Sequence, residues 1–184
     1  TVTGSKHLIT LDNGKKVLLD CGMFQGMGAE TNQLNGDFGF DAREIDYMIL
    51  SHAHIDHCGL IPKFVKDGYK GIIYATPATK DLAAVLMEDS GGIQESDAKF
   101  ENKRRQLEGK PFVKPLYTTE DALIAAGRFE IVDYENWHTI EPGLEFCYTD
   151  AGHIIGSAAV HLKITENGKE TRITFSGDVG RYRD

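Results

Sequence analysis

Ser51-His52-Ala53-His54-Ile55-Asp56-His57-Cys58-Gly59 packs three histidines and an aspartate into six positions, immediately after the apolar run Tyr47-Met48-Ile49-Leu50. A short apolar run of this kind reads as a buried strand, so the polar cluster falls in the loop where that strand ends. Imidazole nitrogens and carboxylate oxygens are the ligands that zinc, iron or manganese take, and a loop can aim several of them at one point where a straight strand cannot. Leu60, Ile61, Phe64 and Val65 then recur at helical spacing, which places Asp56 and His57 at a helix N-terminus. The positive end of a helix disfavours imidazolium, and a metal requires the neutral ring. A polar loop whose histidines only pack or hydrogen-bond is the plainer alternative, and the density of ligand types weighs against it.

Working outward, the same design of strand, polar ligand type and glycine recurs three times. Upstream, a hairpin is expected: strand 7–11, the turn Asp12-Asn13-Gly14-Lys15, and strand 17–20, which ends in Leu18-Leu19-Asp20-Cys21-Gly22. Asn-Gly between apolar strands supplies the positive φ such a turn needs. Downstream, strand 144–148 runs into Asp150-Ala151-Gly152-His153-Ile154-Ile155-Gly156-Ser157, and a hairpin of strands 159–164 and 172–175 through Asn167-Gly168 ends in Ser176-Gly177-Asp178-Val179-Gly180. In layered sheets strand ends converge on one edge, so Asp20, the 52–57 cluster, His153 and Asp178 can share one pocket. Asp20 is placed behind the ligands, and Asp178 as a carboxylate able to bridge two metals; such a pair suits phosphate-ester hydrolysis.

The segments between these loops alternate strand and helix, which predicts α/β layering. Strand 71–75 is followed by a helix over 79–89 opened by Thr76-Pro77, a second helix begins at Thr119-Glu120-Asp121 and ends near Gly127, and strand 129–132 follows. Residues 23–39 read as loop. Residues 91–115 carry six basic side chains against four acidic ones and few apolar positions. A solvated insertion helix is preferred there over a phosphate-contacting surface.

The chain has 184 residues, enough for one domain with a sizeable core, and a net charge of −8 from 28 acidic and 20 basic residues. That balance argues against a generally adhesive nucleic-acid binder, but bound divalent metals can reverse the local field, so a nucleic-acid enzyme stays open. No apolar run is long enough to span a bilayer and no basic-then-apolar leader opens the sequence, so no membrane partner is expected. Cys21, Cys58 and Cys147 do not make a disulfide framework; reduced thiols and a cytoplasmic location are the simpler reading. For Cys58, packing is preferred over ligation.

His-X-His-X-Asp-His, with an aspartate before it and a histidine and an aspartate after it, resembles the metallo-β-lactamase superfamily. The wording Val2-Thr3-Gly4-Ser5, Leu19-Asp20-Cys21-Gly22, Asp150 through Ala158, and Ser176-Gly177-Asp178-Val179-Gly180-Arg181 resembles its β-CASP branch, which contains RNase J and the nuclease subunit of the mRNA cleavage and polyadenylation machinery. The resemblance covers nearly the whole chain. It implies a four-layered αββα sandwich with the site at the strand ends. It further implies two zinc ions: His52, His54 and His153 on the first, Asp56 and His57 on the second, and Asp178 bridging both. Asp20, Asp56, His57 and Asp178 would carry the catalytic work, Asp20 by orienting the histidine loop. The implied reaction is attack of a metal-bound hydroxide on phosphorus in single-stranded RNA, within a homodimer or an RNA-processing complex. His7, His138 and His161 match none of the motifs and are expected to be structural.

Members of this branch continue past the position of Asp178 into an inserted β-CASP domain and supply further histidines. Residues 1–184 are therefore expected to be the N-terminal portion of the metallo-β-lactamase domain, with the β-CASP domain beyond residue 184, the second zinc short of a ligand, and RNA turnover by this portion alone lacking. Two rival readings share the motifs. One is a hydrolase of a small thioester, lactone or lactam; the other is a non-catalytic scaffold subunit of an RNA-processing complex, against which every available ligand position is filled.

Overall fold

The computed structural model describes residues 3–26, 28 and 30–181; Val2, the first residue of the earliest motif quoted above, lies outside them. Two sheets form the frame. In the first, β1 (His7–Thr10) and β2 (Lys16–Leu19) make the expected antiparallel hairpin, and β3 (Tyr47–Ile49), β4 (Ile73–Ala75) and β5 (Phe129–Ile131) extend it in parallel, in the order β1-β2-β3-β4-β5. The second is an antiparallel meander of β6 (His138–Glu141), β7 (Leu144–Asp150), β8 (Ala158–Glu166) and β9 (Lys169–Phe175). The Asn167-Gly168 turn joins β8 to β9, both residues at positive φ as a tight hairpin of this type requires.

Alternation along the strands builds two cores. Val17, Leu19, Ile49 and Tyr74 face Phe146, Tyr148, Val160 and Leu162 of the second sheet. The opposite face of the first sheet, with Leu18, Met48, Ile73 and Ala75, is covered by α2 (Ile55–Cys58), α3 (Ile61–Lys66), α4 (Pro77–Leu107) and α5 (Thr119–Ala126). Phe64 and Leu60 are fully buried there, and burying side chains of this size contributes about 1.5–3 kcal/mol each. The layers are thus helix, sheet, sheet, three of the four in the αββα sandwich. Among the described residues no helix joins the second sheet's core.

Three local expectations need correction. Residues 23–39 are not all loop: α1 (Glu30–Gly36) forms within them, and its buried Asn35 exchanges hydrogen bonds with the Phe24 backbone, N to Oδ1 at 2.7 Å and Nδ2 to O at 3.0 Å. The strand β6 went unrecognised because His138-Thr139-Ile140-Glu141 offers one apolar position. The helix opened by Thr76 does not stop at residue 89, and residues 91–115 contain no separate insertion helix. Instead α4, 31 residues long in all, continues through Gly91-Gly92 to Leu107. Two helical glycines cost about 1 kcal/mol each, but a Cβ on Gly91 would stand 2.8 Å from the Thr119 amide. The glycine lets the start of α5 pack against α4. Arg104 and Arg105 pair with Glu101, and Lys110 with Glu108, as a solvated helical face would.

Candidate metal centre

The two sheets are joined at the edge where their ligand-bearing loops emerge. Tyr148, fully buried, reaches from β7 into the first sheet and donates to the carbonyls of Leu50 (3.1 Å) and Tyr74 (2.9 Å). The amide of Ala158 donates to the carbonyl of Ser51 at 2.9 Å. The loop 151–157 is fixed in two further ways. Ser157 Oγ accepts from the amides of His153 (3.1 Å) and Ile154 (3.2 Å). Thr76 and Thr79, in the first turn of α4, both donate hydroxyl hydrogen bonds to the Gly156 carbonyl, at 2.7 and 2.8 Å. His153 is thereby held from its own loop and from the helix layer together.

Asp20 sits behind the histidines with no exposed surface. It adopts φ +60°, a left-handed conformation that costs a non-glycine residue of order 1 kcal/mol. Four donors offset that strain. The Ser51 amide donates to Oδ1 at 2.8 Å; His57 Nδ1 (2.6 Å), Ser51 Oγ (3.0 Å) and Ser5 Oγ (3.2 Å) meet Oδ2.

In front of Asp20, His52, His54, His153 and Asp178 each offer one ligand atom, and these four atoms lie within 4.8 Å of one another. His54 Nδ1 stands 3.2 Å from His52 Nε2 and 3.1 Å from His153 Nε2. Asp178 Oδ2 stands 3.9 Å from His52 Nε2 and 3.5 Å from His153 Nε2. Tetrahedral ligands about 2.0–2.1 Å from a zinc ion have edges of about 3.3 Å, so the donor set fits a metal in chemistry and the pairs at 3.1–3.9 Å approach its spacing, the group as a whole drawing in slightly when an ion binds. The other oxygen of the same carboxylate, Oδ1, faces His57 Nε2 at 3.4 Å, and Asp56 Oδ2 lies 3.9 Å from that nitrogen. The predicted residues therefore converge, with Asp178 between the two histidine groups. Cys58 does not join them: it is buried, and its thiol donates to the Ala53 carbonyl. His7, His138 and His161 contact Phe175, Tyr74 with Phe146, and Thr149 with Thr174 respectively.

The electrostatics divide the histidines. Burial, and then repulsion from His57, His54 and His153, push the pKa of His52 down to about 3, leaving the neutral ring that ligation requires. For His57 burial acts in the same direction, yet the hydrogen bond its Nδ1 donates to Asp20 and the charges of Asp20, Asp178 and Asp56 outweigh it and raise the pKa above 6.5. The helix-end argument made from the sequence does not govern this residue. Asp56 and His57 do not open the helix that carries Ile61, Phe64 and Val65: they lie in the separate four-residue α2, His54 at its N-cap position and His57 in its last turn, and three carboxylates surround His57.

Sequence reading assigned no role to Ser51, Thr79 or Tyr148. The available signal for Ser51 was a hydroxyl directly preceding a ligand histidine; for Tyr148 none existed, since its two acceptors lie 98 and 74 residues away.

A two-sheet α/β frame carries four imidazole and carboxylate ligand atoms at converging strand ends, a fold built to hold a metal ion. The chain belongs to the metallo-β-lactamase superfamily, whose family model matches residues 4–184. It is 36% identical over 179 residues to "Ribonuclease TTHA0252" of Thermus thermophilus, covering 97% of this chain and 36% of that protein. It is 33% identical over 166 residues to "Transcription termination factor FttA" of Methanosarcina mazei, covering 89% of this chain and 23% of that one. The chain thus spans about a third or less of the length of these relatives. The subclass B3 metallo-β-lactamase MEM-A1, from a soil metagenome library, superposes with a TM-score of 0.54 at 19% identity, covering 95% of this chain and 57% of the enzyme. That likeness concerns the fold.

Proposed function

We propose that this chain carries the two-zinc centre of an RNA phosphodiester hydrolase of the β-CASP branch. The observation that carries the reading is the placement of Asp178, with one oxygen toward His52 and His153 and the other toward His57. His52, His54, His153 and Asp178 would hold the first ion; Asp56, His57 and the shared Asp178 would hold the second. When bound, such a pair supplies Lewis acidity on both sides of an in-line displacement at phosphorus. The protein's own part is to keep the His52 ring neutral, hold His57 through Asp20, and present the site to substrate. The side chain of Asp178 is 46% exposed while that of His52 is 1% exposed, so the ligand cluster is buried on one side and open on the other, as an extended polymer requires.

RNA is favoured as substrate over a small thioester, lactone or lactam by the ribonuclease relative and by the motif wording around Gly4-Ser5 and residues 150–158. A reducing, cytoplasmic setting is proposed on the three buried, unpaired thiols. The test has two parts. Atomic spectroscopy of the purified protein should find zinc, most of it lost in His153→Ala. The full-length gene product should cleave a labelled single-stranded RNA and leave thioester and lactam substrates intact. Undiminished zinc in His153→Ala, or lactam hydrolysis without RNA cleavage, would overturn the proposal.

A further inference from the structure

The hydrogen bonds around Asp20 fix which nitrogen of His52 carries its proton. Ser51 Oγ lies 3.0 Å from Asp20 Oδ2 and 3.0 Å from His52 Nδ1. A carboxylate only accepts, and Asp20 already receives a backbone amide on Oδ1 that can only donate. The single hydroxyl hydrogen of Ser51 is therefore directed at Asp20. That leaves the hydroxyl oxygen as acceptor toward His52, so Nδ1 of His52 must carry the ring hydrogen. In a neutral imidazole the other nitrogen, Nε2, is then the bare one. Nε2 is the atom that points into the cluster, 3.2 Å from His54 Nδ1.

We infer that Ser51 is a positioning residue: through an Asp20–Ser51–His52 relay it fixes the His52 tautomer whose free Nε2 faces the metal position. The arrangement is closed to alternatives because Ser51 and His52 have no exposed surface, so water cannot substitute for the hydroxyl. Asp20 acts on the neighbouring group directly, through His57 Nδ1 at 2.6 Å, and that ring likewise turns Nε2 toward Asp178. One carboxylate thus sets the free nitrogen of two histidines, reaching one directly and the other through Ser51. The consequence is an asymmetry. Removing the Ser51 hydroxyl should disturb the position held by His52 and spare the one held by His57, whereas altering Asp20 should disturb both. Partners of metal-bound histidines typically contribute about 10–100-fold in metal affinity.

This inference rests on the metal-site reading, but its first test needs no metal. Nitrogen–proton correlation NMR of the metal-free, histidine-labelled protein reports each ring's tautomer. His52 should appear as the Nδ1–H form in the parent and as a mixture or the Nε2–H form in Ser51→Ala. Cobalt titration followed by the visible ligand-field spectrum should then show the tighter site of Ser51→Ala weakened about 10–100-fold, the weaker site within about threefold of the parent. Asp20→Asn should weaken both. An Nε2–H tautomer for His52 in the metal-free parent would overturn the relay, whatever the metal data show. A folded Ser51→Ala variant with parental affinity at the tighter site would overturn its role toward the metal. Failure of the parent to bind any metal, with the tautomer as expected, would count against the metal-site reading and leave the relay standing.

Discussion

Gly180 controls the distance between two ligands without being one. A Cβ added there would stand 1.5 Å from the Gly152 carbonyl oxygen and 2.8 Å from the His153 amide. The segment is docked by a hydrogen bond from its own amide to the Ala151 carbonyl at 3.0 Å. Contacts to a real Cβ under 3.0 Å are essentially never seen, so in Gly180→Ala the Asp178 segment and the His153 loop must part by at least about 1.5 Å. His153 Nε2 and Asp178 Oδ2 are now 3.5 Å apart, and a separation directed along their line would take them to about 5 Å. Two atoms that each sit about 2.0–2.2 Å from one zinc cannot be more than about 4.3 Å apart. The ion must release one of the pair, and the dissociation constant should rise at least about 100-fold, more than loss of an outer partner would give. Chelator-competition titration measures it, with thermal melting of the metal-free protein as the folding control. Gly168→Ala is the matched comparison. Its φ of +75° strains any side chain but nothing lies within 4 Å, so it should lose roughly 1 kcal/mol of stability and bind zinc normally. A well-folded Gly180→Ala protein with parental zinc affinity would refute the reasoning.

Three further outcomes are expected. Asp20→Asn keeps a residue type that tolerates φ +60° but presents an amide group to four donors, and zinc affinity should fall about 10–100-fold, read by the same titration. Tyr148→Phe removes the donor shared by the Leu50 and Tyr74 carbonyls; urea denaturation should show a loss of about 1–3 kcal/mol. Zinc at 100 times its dissociation constant should add about 2.7 kcal/mol, so chelation should lower the melting temperature by about 5–11 °C at the roughly 2–4 °C per kcal/mol expected for a domain of this size. An unchanged melting temperature would mean that the native state holds no ion.

What could be read in advance followed local chemistry. The hairpins at Asn13-Gly14 and Asn167-Gly168, the Thr76 cap of α4 and the Thr119-Glu120-Asp121 start of α5 are each decided within a few residues. The ligand residues were legible for a related reason, since imidazole and carboxylate at strand ends are scarce without a use. Long-range partners set the rest. The length of α4 depends on Gly91 meeting Thr119, α1 on Asn35 finding the Phe24 backbone, and β6 on pairing with β7. None of these leaves a periodic trace in its own segment.

The glycines beside the ligands show the same division within one motif. From the sequence they read alike, as the glycine of a strand, ligand and glycine design. Gly152 is a turn residue: its φ is +64° and a Cβ would meet nothing. Gly22 and Gly180 are not among the positive-φ residues. At Gly22 a Cβ would lie 1.6 Å from the Asp56 carbonyl oxygen, and at Gly180 1.5 Å from that of Gly152. Their bare Cα atoms are contact surfaces on which the loops carrying Asp20, Asp56, His153 and Asp178 rest. Backbone seated on backbone has no rotamer freedom, so it holds the parent segments more tightly than interlocking side chains would. A site whose ligands come from segments a hundred residues apart, and whose ligand atoms must meet within a few tenths of an ångström, gains its precision from these contacts. On this argument a substitution at Gly22 should act as Gly180→Ala does, on metal affinity before stability, while one at Gly152 should act on loop conformation.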